Sequence, residues 1–593
     1  MNNKLKLPLL LTSIAVTVVS GWQMYSRFQA DELWGHRPLF LYLGLVATVL
    51  LLLEGRFERK MKSGRKLLLI SLLSGVLLAG GFTPMPFFPL MFVGFVPLLI
   101  VEKRITDERG MARGAMFKYA FWGLLLWNIL STYWVTNTLF MAGLLAVLPG
   151  TLLMTIPWVL FHHTRVRLGD RLGYASLPAY WMVLELAHLH WKDMSWPWLN
   201  LGNSFARFPE IVQWYDITGT FGGSLWIWVL NLLIFFLVDN YFYKKEKINI
   251  SKSILPAAIF LLPIIFSFIK YFTYKETGKQ IEVVVVNPNY EPHYEKFEAN
   301  QPTQLKRFFE ISRKGLTSET DYLVFPETSF GRIWHNEIEE SPVIQAFRGF
   351  LRDYPNTKLV TGLSSYRRFE ASEEPPKAPR SYVRGRDTTI YESYNSAIQI
   401  AHNDSIIQDY FKEKLVPGAE YPPFASLTIF RPIVNALGGS MSGLGTQPER
   451  EAFFNEDKTV GVAPVICYES IFGEYATGYV RAGANALFIV TNDGWWDNTA
   501  GHVQHNHFAS LRAIETRRSI ARSANMGTSG FINQRGDRLD GNPYGEMGFR
   551  RGKITLNDKV TFYVRYGDLI ARIALFLSLL LLLLSFVRGR LAK

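Results

Sequence analysis

A single cysteine, Cys467, stands in 593 residues, so no intramolecular disulfide can form and cysteine usage does not mark the compartment. Charged side chains make up only 19% of the chain, and the scarcity is uneven. It is greatest before residue 275 and again from about 568 to 587. No glycine-rich phosphate loop with a following Lys-Ser/Thr stands at a strand–helix boundary, which excludes that nucleotide cradle. "HVQHNH" (502–507) has neither a cysteine nor an acidic triad to complete a metal set, so no metal and no cofactor is expected. The net charge of +13 does not point to nucleic acid, because many of the basic residues sit in short loops between apolar runs. "RRSIAR" (517–522) is a short basic helix face, suited to salt bridges or lipid headgroups rather than to nucleic acid.

What fills the uncharged stretches is membrane-spanning sequence. Ten candidate spans lie at about 7–25, 38–53, 67–82, 87–101, 116–135, 141–161, 175–190, 222–240, 254–273 and 568–587. Each approaches the roughly 20 apolar residues that cross a bilayer. The first run follows Lys4 and Lys6 and lacks a small-residue cleavage site, so it is read as a retained anchor. Basic clusters occupy alternate loops: Arg56 to Lys66, Lys103 to Arg113, Arg165 to Arg171, Lys244 to Lys247, and Arg588 to Lys593. The intervening "TPMP" (83–86) and "TNTLFMA" (136–142) carry no Lys or Arg. This asymmetry puts both termini in the cytoplasm and residues 276–566 on the opposite side. Ionisable residues inside the spans are few, chiefly Glu185 and His188, which argues against an ion pathway.

Residues 276–566 have ordinary soluble composition. "IEVVVVNPNY" (281–290) is a continuous apolar run ending in turn residues, the pattern of a strand buried on both faces. Similar runs recur at 321–327, 357–363, 394–400, 460–469 and 484–493. Helices are expected between them, at 301–315 and at 505–518, where Phe508, Leu511 and Ile514 define one face. Alternation of this kind implies an α/β domain with covered sheets. The charged, proline-rich stretch 367–387 reads as a surface insertion or flexible loop. The apolar, Pro/Gly-broken stretch 421–446 reads as a core loop or as a lid that meets lipid.

Three strands end in polar residues with complementary chemistry. "VFPE" delivers Glu327, "DYFKEKLVPGAEYPP" carries Lys412 and Glu420, and "VICYES" delivers Cys467. Ligands meet the carboxyl ends of strands in open α/β folds. A thiol reacts as thiolate and needs a base or a positive neighbour. A buried glutamate can take its proton, and a lysine ammonium can stabilise a developing oxyanion. Taken one at a time, each residue has a plainer reading: a core thiol, a capping carboxylate, a solvated amine.

Four motifs in one order, "FPETSF", "YFKEKLVPGAEYPP", "VICYES" and "VTNDGWW", resemble the nitrilase superfamily, with "ARSANMGTSGFIN" (521–533) continuing the likeness. The membrane segments "GGFTPMPFFPL" (80–90), "SWPWLNLGNSF" (195–205) and "QWYDITGTFGGS" (213–224) resemble one membrane-bound branch of it, the apolipoprotein N-acyltransferases. The resemblance covers roughly residues 66–587. It implies a multi-span helical bundle, an α-β-β-α sandwich and a closing transmembrane helix. The parts would be two added N-terminal helices at 1–65, a bundle of about seven helices at 66–275, a periplasmic catalytic domain at 276–566, and a last helix with a basic tail at 567–593. It also implies a bacterial inner-membrane enzyme, expected to be a monomer, that takes an acyl chain from a phospholipid onto Cys467 as a thioester. The chain would then pass to the α-amino group of a diacylglyceryl-cysteine at an apolipoprotein's N-terminus.

By the same resemblance Glu327 is base and acid, Lys412 holds the oxyanion, and Glu420 orients Lys412 or supports the base. Tyr468 and Glu469 flank the nucleophile and shape the pocket, and Trp495 and Trp496 form an aromatic site. Two departures stand out: Lys414 replaces a frequent His, and Gly418-Ala419 replaces an aromatic-Gly pair. Both bear on rate and pocket shape rather than on reaction type. The competing readings are a membrane-bound amidase using water as acceptor, a transporter with a noncatalytic domain, and a lipid-binding scaffold.

Overall fold

The computed structural model describes residues 3–58, 63–242, 250–296, 298–370, 372–384, 387–424 and 443–591. Most of the apolar segment 421–446, and the basic loops at 59–62 and 243–249, lie outside these residues.

The first half of the chain is helical. It comprises α1 (Asn3–Gln29), α2 (Arg37–Glu58), α3 (Gly64–Gly81), α4 (Val96–Arg109), α5 (Arg113–Thr132), α6 (Phe140–Leu168), α7 (Asp170–His190), α8 (Tyr215–Thr218), α9 (Thr220–Phe242) and α10 (Ile250–Thr273). Among the described residues seven helices are long and apolar enough to cross a membrane: α1, α2, α3, α6, α9, α10 and the C-terminal helix. The expected span at 87–101 is not one helix. It divides into a short 3-10 turn, Phe88–Phe92, and α4. Pro89 and Pro97, each at the first turn of one of these pieces, begin new helical segments and cannot continue an old one. Helices α3 and α5 approach closely through small residues. A Cβ on Gly75 would lie 2.3 Å from the Gly123 carbonyl oxygen, and one on Gly123 would lie 2.4 Å from that of Ser71.

The second half holds two sheets. The first is built from β1 (Gln280–Asn287), β2 (Tyr322–Val324), β3 (Phe330–Trp334), β4 (Lys358–Phe369), β5 (Arg380–Arg384), β6 (Asp387–Ile400), β7 (Gln408–Phe411) and β14 (Gly548–Thr555). Its main order is β14-β1-β2-β4-β6-β5, with β3 on β4 and β7 on β6. The second sheet is β13-β12-β11-β10-β9-β8, from β8 (Phe453–Phe454), β9 (Gly461–Ile466), β10 (Ala486–Thr491), β11 (Ile520–Ala524), β12 (Gly530–Ile532) and β13 (Arg538–Leu539). Helices α11 (Gln301–Gly315) and α12 (Pro342–Leu351) cover the first sheet, and α13 (Gly473–Arg481) and α14 (Ala500–Thr516) cover the second.

The four-layer order explains the apolar run in β1. Val284 and Val286 point into the cluster with Phe308 and Phe347 of α11 and α12. Val283 and Val285 point the other way, into the cluster that holds Val465 and Phe488 of the facing sheet. Tyr322 of β2 and Phe488 of β10 meet edge-to-face across the sheets, with centroids 5.2 Å apart. A strand with no solvent face needs no alternation of polar residues.

Strand β1 pairs antiparallel with β14, Gln280 opposite Thr555. The entry from α10 and the exit, through α15 (Phe562–Tyr566), to α16 (Leu569–Leu591) therefore emerge side by side. Arg517 rivets the joint. Its φ of +52° ends α14 in a left-handed residue, and its guanidinium donates to Asp216 Oδ2 at 3.0 Å and to Gln213 Oε1 at 2.7 Å. The stretch 367–387 is not wholly a loop. Strands β4, β5 and β6 extend through it as a ribbon, held by cross-strand rings such as Tyr382–Tyr391 at 5.8 Å.

Candidate active site

The site lies at strand ends of both sheets. Glu327 follows β2, and β4 passes directly beneath it: a Cβ on Gly362 would sit 2.6 Å from Glu327 Cα. Lys412 is the first residue after β7, and its backbone N–H donates to the Asn395 carbonyl of β6 at 2.9 Å. Its ammonium donates to Glu327 Oε1 at 3.1 Å and to Glu420 Oε1 at 2.9 Å. Asn395 Nδ2 donates to the same two oxygens, each at 2.7 Å. Glu420 is itself fixed by the Val416 N–H on Oε2 at 2.8 Å. Lys296 Nζ donates to the Glu327 carbonyl at 2.8 Å and to Thr328 Oγ1 at 2.7 Å, closing the far side.

Cys467 comes from the second sheet. It follows β9 directly and adopts φ of +48°, a left-handed conformation that costs a non-glycine residue about 1–3 kcal/mol unless its surroundings dictate it. Glu469 is the main brace. Its side chain is fully buried and accepts from the Ile466 N–H at 2.9 Å, the Glu413 N–H at 2.8 Å, and the hydroxyls of Tyr410, Tyr475 and Tyr479 at 2.8–2.9 Å. One carboxylate thus ties the turn that carries Cys467 to the strand end that carries Lys412. It sits beneath the site and not at its mouth. Tyr468 donates through its hydroxyl to the Ser195 carbonyl at 2.8 Å, joining the neighbour of Cys467 to the helical half.

Burial pushes the Glu327 carboxyl up, but the Lys412 cation, the Asn395 hydrogen bond and Lys296 outweigh it and leave the group below its ordinary value. Burial likewise disfavours the Lys412 ammonium, yet Glu327 and Glu420 reverse the balance and keep it a cation. Burial and the negative charge of Glu327 push the Cys467 thiol far up, against the opposing pull of Lys412. At neutral pH the site therefore holds a carboxylate, an ammonium and a protonated thiol. Such a set performs acyl transfer when loss of the thiol proton to the carboxylate is coupled to attack.

The remaining expected residues are placed as follows. Lys414 Nζ lies 5.5 Å from the ring centroids of Phe472 and Tyr475, not against the Glu327–Lys412 pair. Gly418 has φ of +83° in the turn whose N–H reaches the Tyr421 carbonyl, and Ala419 continues that turn toward Glu420. Trp495 stacks edge-on against His293 at 4.9 Å. Trp496 packs on Trp134 at 5.0 Å and Trp198 at 5.5 Å, both from the helical half. Glu185 accepts from the Leu201 N–H at 2.7 Å, and His188 Nδ1 bonds the Met194 carbonyl at 2.9 Å. Both brace the loop that carries Ser195 and Trp198.

Sequence reasoning did not single out Asn395 or Lys296. Asn395 left a signal, a polar amide inside the apolar run "YNSAIQI". Lys296 left none, being one charge among many in a polar stretch.

The family model described as Apolipoprotein N-acyltransferase N-terminal domain matches residues 74–233, and the one described as Carbon-nitrogen hydrolase matches residues 286–560. The chain is 30% identical over 540 residues to the apolipoprotein N-acyltransferase of Chlorobaculum tepidum, covering 88% of this chain and 97% of that one. The chain belongs to the apolipoprotein N-acyltransferase family. It is 27% identical over 510 residues to the apolipoprotein N-acyltransferase of Geobacter metallireducens, covering 85% of this chain and 92% of the other. A Saccharomyces cerevisiae nitrilase-superfamily protein, Nit3, covers 47% of this chain and 91% of its own at 14% identity and a TM-score of 0.33. As a member of the apolipoprotein N-acyltransferases, the chain is a multi-pass membrane acyltransferase that joins a helical bundle to a nitrilase-like domain.

Proposed function

We propose that the chain moves an acyl chain from a membrane phospholipid, through a Cys467 thioester, to the α-amino group of an apolipoprotein's N-terminal diacylglyceryl-cysteine. The observation that carries this reading is the Glu327–Lys412–Glu420 ion network set against a buried thiol in a left-handed turn. In the first half-reaction Sγ attacks the ester carbonyl while its proton passes to Glu327. Lys412 and a backbone N–H beside Cys467 stabilise the oxyanion. The C–O bond then breaks, the leaving alkoxide takes the proton from Glu327, and lysophospholipid departs. In the second half-reaction Glu327 accepts a proton from the attacking amine, the C–S bond breaks, and the thiol is restored.

Glu420 and Asn395 hold Lys412 and Glu327 in register. Tyr468 and Glu469 set the nucleophile's turn, and Trp495 and Trp496 seat the surrounding loop. The reading includes a periplasmic catalytic domain at 276–566, cytoplasmic termini, and the division at residues 65, 275 and 566. A lipid donor and a lipid-anchored acceptor both require a site at the bilayer surface, and the side-by-side exit of α10 and α16 supports that position. The test supplies purified full-length protein with phospholipid and a diacylglyceryl lipopeptide. Stoichiometric lysophospholipid and N-acylated lipopeptide are expected. Free fatty acid with no N-acylated product would instead identify a hydrolase.

A further inference from the structure

The strained turn at Cys467 needs support on both sides, and Glu469 supplies only one. It holds the N–H of Ile466, before the nucleophile. The carbonyl of Cys467, after it, meets a different group. Ser470 Oγ donates to that carbonyl at 2.7 Å. His505 Nε2, on α14, lies 2.8 Å from Ser470 Oγ and 3.3 Å from the carbonyl itself. His505 Nδ1 faces Asp493 Oδ1 at 2.9 Å. Asp493 also accepts from Arg522 Nη2 at 2.6 Å and from Thr491 Oγ1 at 2.9 Å.

The strand order explains the assembly. Adjacent parallel strands β9 and β10 bring Cys467 and Asp493 to one end of the sheet, Arg522 reaches Asp493 from the middle of the neighbouring β11, and α14 lays His505 across them. All four side chains are buried. Burial would push the Asp493 carboxyl up, but Arg522 and His505 outweigh it and hold the group well below the usual carboxylate range. The contact of Asp493 with Nδ1 fixes the orientation of the imidazole and leaves Nε2 turned to the turn of Cys467.

The residue before His505 adds a second function to the same helical turn. Gln504 Oε1 accepts from the indole N–H groups of Trp134 at 3.0 Å and Trp198 at 2.7 Å. Its Nε2 donates to the carbonyls of Thr83 at 2.8 Å and Ser131 at 3.2 Å. Consecutive residues therefore grip the membrane helices and the nucleophile's turn.

We propose that His505, oriented by Asp493, is a positioning residue that holds Cys467 in its reactive conformation and links that conformation to the seating of α14 on the membrane bundle. The proposal rests on Cys467 being the acylated residue. His505 does not touch substrate. Its removal should slow acylation without changing phospholipid binding.

The experiment measures the single-turnover release of lysophospholipid from full-length protein in nanodiscs of stated phospholipid composition. The variants are His505→Ala, His505→Gln and Asp493→Asn, with thermal melting in parallel. His505→Ala should lower the acylation rate about 10- to 100-fold with KM for phospholipid within twofold. A displacement of about 1 Å at a reacting atom costs a factor of this order. His505→Gln keeps a side-chain amide able to hydrogen-bond Ser470 and the Cys467 carbonyl and should recover at least part of the loss. If His505→Ala does not fold, His505→Gln decides: a moderate fall in rate at constant KM supports the proposal. A wild-type rate in folded His505→Gln and His505→Ala overturns it, and so does a change confined to KM. Failure of wild-type protein to form any Cys467 adduct would overturn the underlying mechanism instead.

Discussion

The ammonium of Lys412 lies 3.1 Å from Glu327 Oε1, each of the two groups closing a strand of the same sheet, and neither is open to solvent. A buried pair of this kind is held by its further hydrogen bonds, since desolvation offsets much of the Coulomb attraction. Asn395 and Glu420 supply those bonds. The pair arms the site as much as it stabilises the fold, because Glu327 remains a carboxylate beside a thiol that burial keeps protonated.

Glu327→Gln removes the base and preserves the shape. The acylation rate should fall by about 10²- to 10⁴-fold, the usual worth of a positioned acid–base group. Lys412→Met removes the oxyanion partner and the cation between Glu327 and Glu420, leaving Lys296 as the remaining positive neighbour of Glu327. It should cost at least about 10²-fold in rate and should also lower the melting temperature. Lysophospholipid release and thermal melting, run on the same samples, separate the two effects.

The pH dependence has two limbs. The Glu327 carboxyl lies below its ordinary value, so the base persists as pH falls until the medium is more acidic than about 4.3. Acylation should therefore show no loss attributable to Glu327 between pH 7 and about 5. Lys296 behaves in the opposite sense. Burial, against the pull of Glu327, brings it down to about 8. Its unfolded value is about 10.4, so the unfolded chain binds more protons between the two. Stability of the wild type relative to Lys296→Met should grow as pH rises from about 8 to 10, by about 3 kcal/mol at most. Paired melts across that range check the sign.

Glu469→Ala should be among the most damaging substitutions outside the reacting groups. It would remove the acceptor shared by three tyrosine hydroxyls and the N–H groups of Ile466 and Glu413, leaving the Tyr410 and Tyr475 hydroxyls only each other at 2.6 Å. Unpaired buried donors cost about 1–3 kcal/mol each, although water entering the cavity offsets part of that. A fall of several kcal/mol in stability and loss of acylation are expected together. Glu469→Gln should retain more of both, and thermal melting with a single-turnover assay reads the difference.

Gln504→Leu tests the grip of α14 on the helical half. The Trp198 indole N–H and the Thr83 carbonyl would lose the amide, whereas Trp134 and Ser131 keep the 3.0 Å bond they make to each other. A stability loss of about 2 kcal/mol or more is expected, with a smaller effect on the acylation rate than His505→Ala. Equal stability of the variant and wild type would show that the interface does not depend on this amide.

Glu327 and Cys467 each follow an apolar run that reads as a strand, and the resemblance of the surrounding motifs singled them out together with Lys412. Glu327 and Cys467 could each be placed at a strand's carboxyl end without knowing which strands pair. The supports were not legible for the same reason. Asn395 is useful only because β6 lies beside β4 and β7, and Asp493 meets Arg522 only because β10 lies beside β11. Pairing over such separations leaves no local periodicity. The strands within 367–387 were hidden by its charge and prolines, and its aromatic cross-strand contacts form only once the ribbon exists. Trp496 matched a motif, but its packing on Trp134 and Trp198 depends on how the two halves meet.

The most direct measurement is the intact mass of full-length protein purified from membranes. The account predicts a covalent increment of one fatty-acyl chain that hydroxylamine removes, that maps to Cys467, and that Cys467→Ala lacks. It also predicts that adding a diacylglyceryl lipopeptide discharges the increment into N-acylated product. Active protein carrying no thioester at Cys467 in the presence of phospholipid alone, or full activity in Cys467→Ala, would contradict it.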